Sequence, residues 1–477
     1  MAVEYISTPL KTLGASTIRW MAIHNDVLFV VRRTDFLVTA ATNSGGNTSL
    51  TIGAGGVASL TIGGRVWISL VSGQSGYYTI VSFTAGTIVI TLPWVASSTG
   101  VVNLITDYTN YLLKATYQYS DDVGATWTDY STSEHQMGTD FKATINVSPF
   151  LKSLVTSQSK MHPTATKNDT ADYLDRLTRL VFTETFGSFA GDVSQSAHAT
   201  EILYIANAAM QLQYANGVNL KEYLTNAVPT QTFKFITDFV KPTFFKDFPF
   251  ALYFIYSELM TNGAIDANEE EFQGTTSISS ANYVLDVTKI QHVNRYFLQE
   301  VTTSYGANSD LIKVKIKINA GANLSEILSV KYNNCVKRNP VYLKWLGKGG
   351  GWNYWLFHTN QEESVEVTSQ GGEVSKYITD LSTADTDSDY LTKEATPEIT
   401  CIADMLDVND FNGLKNILHS PKVQMLMNLT TWESDASRDV WQTVKIKPSR
   451  YKLRDTKAAN NIITFNMQLT ELFIQTN

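Results

Sequence analysis

Histidine and cysteine, which often perform catalysis or hold metals, are few and scattered in this sequence of 477 residues. There is no Gly-x-Ser-x-Gly elbow, no His-Glu-x-x-His and no phosphate-binding Gly-x-x-x-x-Gly-Lys-Ser/Thr loop. The seven histidines include no pair at metal-ligand spacing, so we expect surface or core positions for them. They are His24, His135, His162, His198, His292, His358 and His419. We therefore expect no metal, no cofactor and no enzymatic activity.

One acidic stretch resembles the start of a calcium-binding loop, with carboxylates at Asp385, Asp387 and Asp389. Such a loop requires Gly at its sixth position and Glu at its twelfth. Tyr390 and Thr396 stand there instead, so we interpret the stretch as an acidic, solvated loop. Two carboxylates that folding brings together, as in a glycosidase, stay open as an alternative, although no pattern in the sequence supports them.

The most distinctive segment is rich in large aromatic residues and contains three consecutive glycines. It predicts two strands that flank a Gly turn, because Gly adopts backbone angles that other residues resist. We expect a core hairpin packed against a second sheet, since large aromatics dominate core and interface burial. A stacking platform for sugar or nucleic acid is the alternative. The residues concerned are Tyr342, Trp345, Gly349, Gly350, Gly351, Trp352, Tyr354 and Trp355.

The composition favours strands and buried contact surfaces over long solvated helices. Charged residues make up 17% of the chain, against about 25% in an average soluble protein. A net charge of −8 without a run of Lys or Arg argues against a dedicated nucleic-acid binder. Two cysteines, Cys335 and Cys401, permit one disulfide but no disulfide framework.

Neither a secretory signal nor a membrane span is expected. The first residues, Met1-Ala-Val-Glu-Tyr-Ile-Ser7, have no basic or apolar signal region. No stretch reaches the 18 uninterrupted apolar residues typical of a spanning helix. We therefore expect the chain to be made in a cytoplasm-like compartment.

The pattern along the chain predicts a mainly β protein with minor α, built from several β-sandwich or barrel units and a few short helices. Residues 1–40 and 104–265 are predicted to form an N-terminal β-rich domain with helices. Residues 41–103, which are rich in Gly, Ser and Thr, alternate regularly and predict an inserted small β-barrel or sandwich. Residues 281–477 are predicted to form a C-terminal β-rich domain, with residues 261–280 as the linker.

Individual elements follow from hydrophobic periodicity. Leu311–Ile318 alternates between apolar residues and Lys, which predicts a half-buried strand with a charged outer face. Helices are expected at residues 172–180, 201–214 and 408–418, the last capped by Asp407 or Asn409. Further strands are expected within 233–260, at 399–405, at 423–429 and near 462–469, and a hairpin loop at 120–128.

Four segments resemble stretches of tail-associated structural proteins from tailed phages of Bacteroidota, including the crAss-like group. The aromatic segment supplies the main one, as Arg338-Asn-Pro-Val-Tyr-Leu-Lys-Trp-Leu346 followed by Gly350-Gly-Trp-Asn-Tyr-Trp-Leu-Phe357. The others are Phe182-Thr-Glu-Thr-Phe-Gly187 with Ile205-Ala-Asn-Ala-Ala209, Phe235-Ile-Thr-Asp238 with Asp247-Phe-Pro-Phe250, and His419-Ser-Pro-Lys-Val-Gln424. Together they span most of the chain outside residues 41–103.

The resemblance implies a ring, hub or baseplate-like subunit of the virion tail, assembled in the host bacterial cytoplasm, with residues 41–103 as a decoration or contact domain. Copies of the chain in a cyclic oligomer and other phage tail proteins are the expected partners. The lumen around the passing DNA is expected to be acidic or neutral. A receptor- or glycan-binding tail protein and a polysaccharide-degrading tailspike are the alternatives, and the lack of an internal repeat argues against both.

Overall fold

A computed structural model of the chain describes most of the sequence. The described residues are 2–13, 16–34, 36–52, 60, 62–94, 96–104, 109–138, 142–156, 167–170, 174–188, 191–194, 198–209, 220–226, 232–260, 265–298, 305–306, 308–318, 321–334, 340–358, 361–378, 380, 382, 388–427, 441–447, 461–469 and 473–476.

The protein is mainly β, and the predicted fold class is confirmed. The first strands are β1 (Ala2–Ser7), β2 (Lys11–Leu13), β3 (Ser16–Ile18), β4 (Trp20–Ala22), β5 (Leu28–Thr34), β6 (Phe36–Ser44), β7 (Asn47–Ile52), β8 (Arg65–Leu70), β9 (Ser75–Thr84), β10 (Thr87–Pro93), β11 (Gly100–Leu104), β12 (Thr109–Ser120), β13 (Thr128–Gln136), β14 (Lys142–Asn146), β15 (Asn168–Thr170), β16 (Asp175–Ser188), β17 (Gly191–Ser194) and β18 (His198–Ala206).

The later strands are β19 (Thr243–Phe245), β20 (Ala251–Tyr256), β21 (Ile265–Gln273), β22 (Thr276–Val284), β23 (His292–Phe297), β24 (Leu311–Ile318), β25 (Leu328–Asn333), β26 (Val341–Leu346), β27 (Trp352–Phe357), β28 (Glu362–Ser375), β29 (Ser388–Leu406), β30 (Val423–Leu426), β31 (Trp441–Ile446), β32 (Asn461–Gln468) and β33 (Phe473–Thr476). The α-helices of the described residues are α1 (Ser148–Leu151) and α2 (Val408–Leu414). Short 3-10 helices occupy Lys152–Leu154, Lys221–Tyr223, Val287–Lys289 and Lys415–His419.

The chain divides into two compact units. Unit 1 comprises Met1–Leu154 and Arg176–Ile205, and unit 2 comprises Val155–Asp175 and Ala206–Asn477. Unit 1 holds the sheets β1-β5-β14 and β2-β3, a closed barrel β10-β7-β6-β11-β8-β9, and the sheet β13-β12-β16-β18-β4 with β17 beside β16. Unit 2 holds the sheets β15-β23-β20, β19-β25-β24-β21-β22 and β27-β26-β30-β31-β32-β29-β28, with β33 beside β29.

The barrel forms because its strands place apolar residues on the inner face, and the alternation is clearest in β7 and β10. In β7 and β10, for example, Leu50, Ile52, Ile88 and Ile90 point inwards, and their neighbours face out. The core consists of Val38, Ala41, Leu50, Ile52, Leu60, Val66, Ile68, Leu70, Ile80, Ile88, Ile90, Leu92 and Val102. Because β10 pairs with both β7 and β9, the sheet closes and leaves no free edge.

The barrel begins earlier than residue 41, its predicted start. All of β6 belongs to it, because β6 pairs with both β7 and β11, so the barrel spans residues 36–104. Gly100 allows β11 to approach β8 closely, since a Cβ at this position would collide with the Ser69 carbonyl oxygen. This glycine therefore has a packing role that a Gly-rich composition does not reveal.

Two of the predicted helices are wrong where the structure describes them. Residues 175–180 begin the long strand β16, and residues 201–206 end β18, whereas 172–173 and 210–214 lie outside the described residues. In β18 the side chains of Leu203, Tyr204 and Ile205 are all buried, so both strand faces are covered. An apolar run of this kind fits helical spacing by coincidence over a short window. The predicted loop at 120–128, in contrast, does connect β12 and β13.

The predicted linker at 261–280 is also wrong, because strand β21 and the start of β22 occupy most of it. Its acidic residues have specific partners: Glu269 pairs with Lys167, and Glu270 pairs with Lys315 at 3.0 Å. Strand β24 beside β21 has the predicted alternation, with Ile312, Val314 and Ile316 buried. Within 233–260, β19 and β20 are buried strands on either side of Pro249, as predicted.

The helix predicted near residue 408 is confirmed as α2, which ends at Leu414 and continues as a 3-10 turn. Its cap is Asp407, whose carboxylate accepts a hydrogen bond from the backbone N–H of Asp410 at 2.7 Å. The strand predicted at 399–405 is part of β29, and the one predicted at 423–429 is present as β30 over Val423–Leu426, with 428–429 outside the described residues. Strand β32 retains the predicted alternation, with Ile463, Phe465 and Met467 buried.

Candidate assembly surface

The aromatic segment forms the antiparallel hairpin β26–β27, in register from Val341 opposite Phe357 to Leu346 opposite Trp352. Every residue of both strands is buried. Trp345 has no exposed surface, and Phe239 packs against both Trp345 and Trp355 with ring centroids 5.8 Å apart. The hairpin thus contributes side chains to the core of unit 2.

The turn of this hairpin depends on its glycines. Gly350 has φ +86°, in the left-handed region that favours glycine, and a side chain there would press against the Asn207 carbonyl. Gly349 and Gly351 lie against Ile236, so a Cβ at either position would meet that side chain. The sequence Gly349-Gly-Gly351 is therefore required both for the bend and for close packing.

Hydrogen bonds satisfy the hydroxyls of the buried tyrosines around the hairpin. The Tyr342 hydroxyl donates to the Pro249 carbonyl at 2.7 Å, and the Tyr253 and Tyr354 hydroxyls lie 3.0 Å apart. Burial raises the pKa of Tyr342 and Tyr354 well above the ordinary value, so both phenols stay neutral. These rings face protein atoms and present no stacking surface to a ligand.

The hairpin is also tied to the preceding loop through Asn353. Its side-chain oxygen accepts from the Asp238 backbone N–H at 2.9 Å and from the Thr237 hydroxyl at 3.0 Å. Its side-chain nitrogen donates to the Asp238 carboxylate at 3.1 Å. Burial raises the pKa of Asp238, and hydrogen bonds oppose this shift. The network holds the hairpin in place. The edge of the same sheet is more accessible to solvent than the hairpin.

Beyond the hairpin, the same sheet ends in a long two-stranded ribbon. We call β28 together with residues 388–400 of β29 the acidic ribbon; the two segments pair from Glu362 opposite Thr400 to Ser375 opposite Ser388. Strand β28 is the terminal strand of its sheet within the described part of the chain. Residues 362–369 of β28 are all exposed, so the strand is open to solvent on both faces. No other described strand pairs with the outer edge of β28, and an open edge strand of this length is a template for a further strand.

One face of the ribbon carries apolar side chains. Val365 and Val367 lie on the same face of β28 and are 61% and 59% exposed. They are opposite Pro397 and Ala395 of β29, which are half-buried. Tyr377, just beyond β28, is 94% exposed. Large apolar side chains grouped on one surface mark a contact site more often than scattered ones do.

The opposite face of the ribbon is held by one lysine. The Nζ of Lys447 pairs with the carboxylates of both Glu366 and Glu398, and Gln468 donates to the same two groups. The hydrogen bond from Lys447 lowers the pKa of Glu366, and Glu366 and Glu398 together raise the pKa of Lys447. This contact connects β28 and β29 to Lys447 and Gln468, and the apolar face of the ribbon stays open.

The ribbon is strongly acidic along its open edge. Strand β28 contains Glu362, Glu363, Glu366 and Glu373 and no Lys or Arg. No motif in the sequence marks this strand as a contact surface. The alternation Ser364-Val-Glu-Val-Thr368 predicts a strand, but it also predicts that the valines are buried. Their exposure was therefore not visible in the pattern.

A second feature that no sequence pattern predicts is a buried ionic cluster in unit 2. Lys167 and Glu269 pair at 3.1 Å, and the hydroxyls of Tyr296 and Tyr305 donate to the Glu269 carboxylate at 2.5 and 2.8 Å. The Lys167 ammonium also lies 4.1 Å from the centre of the Tyr283 ring. The cluster connects β21, β22 and β23 to the segment before β15, so its role is to hold these elements together.

Two histidines have notable partners, and neither completes a known catalytic arrangement. The His135 ring nitrogen Nε2 lies 2.7 Å from the Ser133 hydroxyl, which also contacts Tyr117 at 2.8 Å. Among the described residues, no carboxylate forms a hydrogen bond with the other ring nitrogen of His135, as a hydrolase triad would require. His292 Nδ1 lies 2.9 Å from the buried Asp175 carboxylate, which also accepts the Val293 backbone N–H.

The remaining predicted features are quickly placed. Asp385 and Asp387 of the calcium-like stretch, His162 and Cys335 lie outside the described residues. Cys401 is buried, which raises the pKa of its thiol to about 12. Among the residues that the structure describes, no three His, Cys, Asp or Glu side chains are grouped to hold a metal ion. Nor does this part of the chain contain a helix long and apolar enough to cross a membrane.

The burial of the tryptophans distinguishes between an aromatic binding groove and a packed core. Trp20, Trp67, Trp345, Trp352 and Trp355 are buried. Trp94, Trp127 and Trp441 are half-buried, and Trp432 lies outside the described residues. Neither a protein-family model nor a curated protein matches the chain.

Proposed function

We propose that the chain is a non-catalytic structural subunit of a bacteriophage virion tail, a ring, hub or baseplate-like component around the DNA passage. The acidic ribbon carries this proposal within the structure, and the phage assignment rests on the sequence resemblance. A subunit of a large assembly needs surfaces that are complete only when a neighbour is present. The ribbon, with its open edge and exposed valines, is a surface of this kind.

The chemistry of the ribbon defines its neighbour. A strand that adds to the β28 edge would continue the backbone hydrogen bonds of the sheet. Side chains opposite Val365 and Val367 would be apolar, and those near Glu362 and Glu363 would be Lys or Arg. We therefore propose that the ribbon binds another tail protein, one that presents a strand with alternating apolar and basic residues.

A tail position also suits the overall charge. With a net charge of −8, the chain repels the phosphate backbone, so DNA passing through a ring of copies would not adhere. A glycan-binding role receives no specific support, because the described tryptophans are buried or half-buried. In a sugar-binding groove they would present a face to solvent.

Paired substitutions in the phage that encodes the chain test this assignment. Val367 and Thr368 are adjacent and exposed but lie on opposite faces of β28, so Val367→Lys and Thr368→Lys add the same charge to different faces. We expect Val367→Lys to reduce the number of complete tails by about tenfold or more, since burying an unpaired charge is costly. Thr368→Lys should assemble normally. Mass spectrometry of purified particles should find the wild-type chain among the tail proteins, and its absence would refute the proposal.

A further inference from the structure

A buried carboxylate and a histidine join two distant parts of unit 2. The side chain of Asp175 is 4% exposed, and its Oδ2 lies 2.9 Å from Nδ1 of His292. Its other carboxylate oxygen accepts the backbone N–H of Val293 at 3.1 Å. These two contacts attach the first residue of β16 to the first residues of β23, 117 residues further along the chain. We call Asp175, His292 and Val293 the latch.

The latch lies where the chain leaves unit 2. The next residue, Arg176, belongs to unit 1, and its guanidinium pairs with Asp121 of that unit. The chain returns to unit 2 just before Asn207, whose backbone N–H donates to the carbonyl of Leu174 at 2.7 Å. Asp175 therefore anchors to unit 2 the segment by which the chain departs from it.

A strained residue precedes the histidine of the latch. Gln291 has φ +70°, in the left-handed region that residues other than glycine rarely adopt. Its side-chain Oε1 is buried and accepts no hydrogen bond within the part of the chain that the structure describes. Such a conformation persists only where the surrounding contacts impose it. The latch supplies contacts of this kind at the next two residues, so the turn at Gln291 can relax when the latch opens.

The strength of the latch depends on a proton. Burial raises the pKa of Asp175, and the hydrogen bond and charge of His292 oppose this shift. A carboxyl whose folded pKa lies above its unfolded value stabilises the fold at low pH, and this contribution is lost as the pH rises through the folded pKa. The His292 side chain is 38% exposed, so it exchanges protons with solvent. Two groups this close titrate as a pair, and a buried carboxylate without a cation beside it is destabilising.

The other charged groups around the latch have partners of their own. These pairs are Lys289 and Arg295 with Asp169, at 3.5 and 3.6 Å, Asp286 with Thr288, and Arg176 with Asp121. Tyr256, opposite His292 in β20, stays neutral because burial raises its pKa to about 12. The proton that matters is therefore the one that Asp175 and His292 share.

We propose that the latch is a pH-sensitive switch, closed in weak acid and open as the pH rises above neutrality. With one proton between them, Asp175 and His292 attract each other, and Gln291 is held in its strained conformation. Loss of this proton removes the attraction, and the start of β16 separates from β23. The inference is independent of a role in a virion tail, because it concerns contacts within unit 2 of a single chain.

Hydrogen exchange of the purified full chain, followed by mass spectrometry, tests the switch. The reporter is the peptide that contains the Val293 N–H, and its protection is corrected for the intrinsic effect of pH on exchange. Histidine side chains ordinarily change charge between about pH 5 and 8, so we expect protection to fall by about tenfold or more over this range. The peptide over β24 is the internal control. Unchanged protection at Val293, or an equal fall in β24, would overturn the proposal.

The Asp175→Asn variant separates a switch from a merely structural bond. Its amide can accept from the Val293 N–H and donate to Nδ1 of a neutral His292, but it cannot pair with an imidazolium. We therefore expect the pH dependence to reverse, with more protection at about pH 8 than at about pH 5. His292→Gln should abolish the pH dependence. His135→Gln, which removes a histidine that contacts the Ser133 hydroxyl, should keep it. Wild-type pH dependence in Asp175→Asn or His292→Gln would overturn the proposal.

Discussion

The Nζ of Lys167 lies 3.1 Å from Oε1 of Glu269, and both side chains are 4% exposed. Removal of two charges from water is expensive unless each finds good partners. Glu269 has two further donors, the hydroxyls of Tyr296 and Tyr305, so its carboxylate is well satisfied. Burial nevertheless raises the pKa of Glu269, and its interaction with Lys167 opposes this shift. Loss of either residue would therefore leave the charge of the other buried without its partner.

Replacement of Lys167 by Met should destabilise unit 2 strongly. The change leaves the Glu269 carboxylate buried without a cation, a loss that typically costs about 3–5 kcal/mol. The double variant Lys167→Met/Glu269→Gln removes both charges and should recover a large part of this loss. Urea unfolding of the single and double variants measures the difference. Equal stability of Lys167→Met and wild type would show that the pair contributes nothing.

This ion pair also shows why the linker prediction failed. Glu269, Glu270 and Glu271 in sequence suggest a solvated segment, since charged residues are rarely buried. Their partners are distant in sequence: Lys167 precedes Glu269 by 102 residues, and Ser309 follows Glu271 by 38. Local composition carries no information about such pairings, so a buried acidic strand was not predictable.

Removal of the Trp345 side chain should be among the most costly single changes in the chain. Trp345 is fully buried against Phe239, so Trp345→Ala loses its contacts and leaves a cavity. The expected loss in the free energy of unfolding is about 3–5 kcal/mol. Tyr377→Ala serves as the control, because an exposed aromatic side chain should change stability by less than about 0.5 kcal/mol. A small loss at Trp345 would contradict its placement in the core.

The turn between β12 and β13 should loosen in acid. The Asp122 carboxylate accepts from the Thr126 backbone N–H at 2.8 Å and from the Thr126 hydroxyl at 2.6 Å, which lower its pKa to about 2. A carboxyl whose folded pKa lies below its unfolded value stabilises the fold above the unfolded value, near 3.8. That contribution disappears as the pH falls through about 2. NMR titration of the Asp122 side chain measures this pKa, and an ordinary value would contradict the hydrogen-bonded turn.

Deletion of the barrel should leave the remaining sheets folded. A chain in which a short Gly-Ser linker joins Thr34, the end of β5, to Thr109, the start of β12, removes all six barrel strands and their core. Because a closed barrel satisfies its own backbone hydrogen bonds, no other described strand loses a sheet partner. Thermal unfolding followed by circular dichroism should still show a cooperative β transition. Insolubility, or loss of the β signal, would show that the barrel is needed for folding.

Local periodicity predicted those parts of the fold that depend on neighbouring residues alone. The alternation in Leu311–Ile318 and the alternating units of the barrel appear in the structure as strands. At 201–206 a strand buried on both faces imitated a helix, because burial there comes from partners such as Trp20, whose ring stacks on Tyr204 at 4.9 Å. The open face at Val365 and Val367 was also hidden, since the same alternation is typical of strands that cover a core.

Electron cryo-microscopy of the assembled phage tests the central proposal most directly. Density for this chain should appear in several copies related by rotation about the tail axis, with the β28 edge covered by a strand of a neighbouring protein. A particle in which the chain appears once, or as detached trimers at the tips of fibres, would contradict the account.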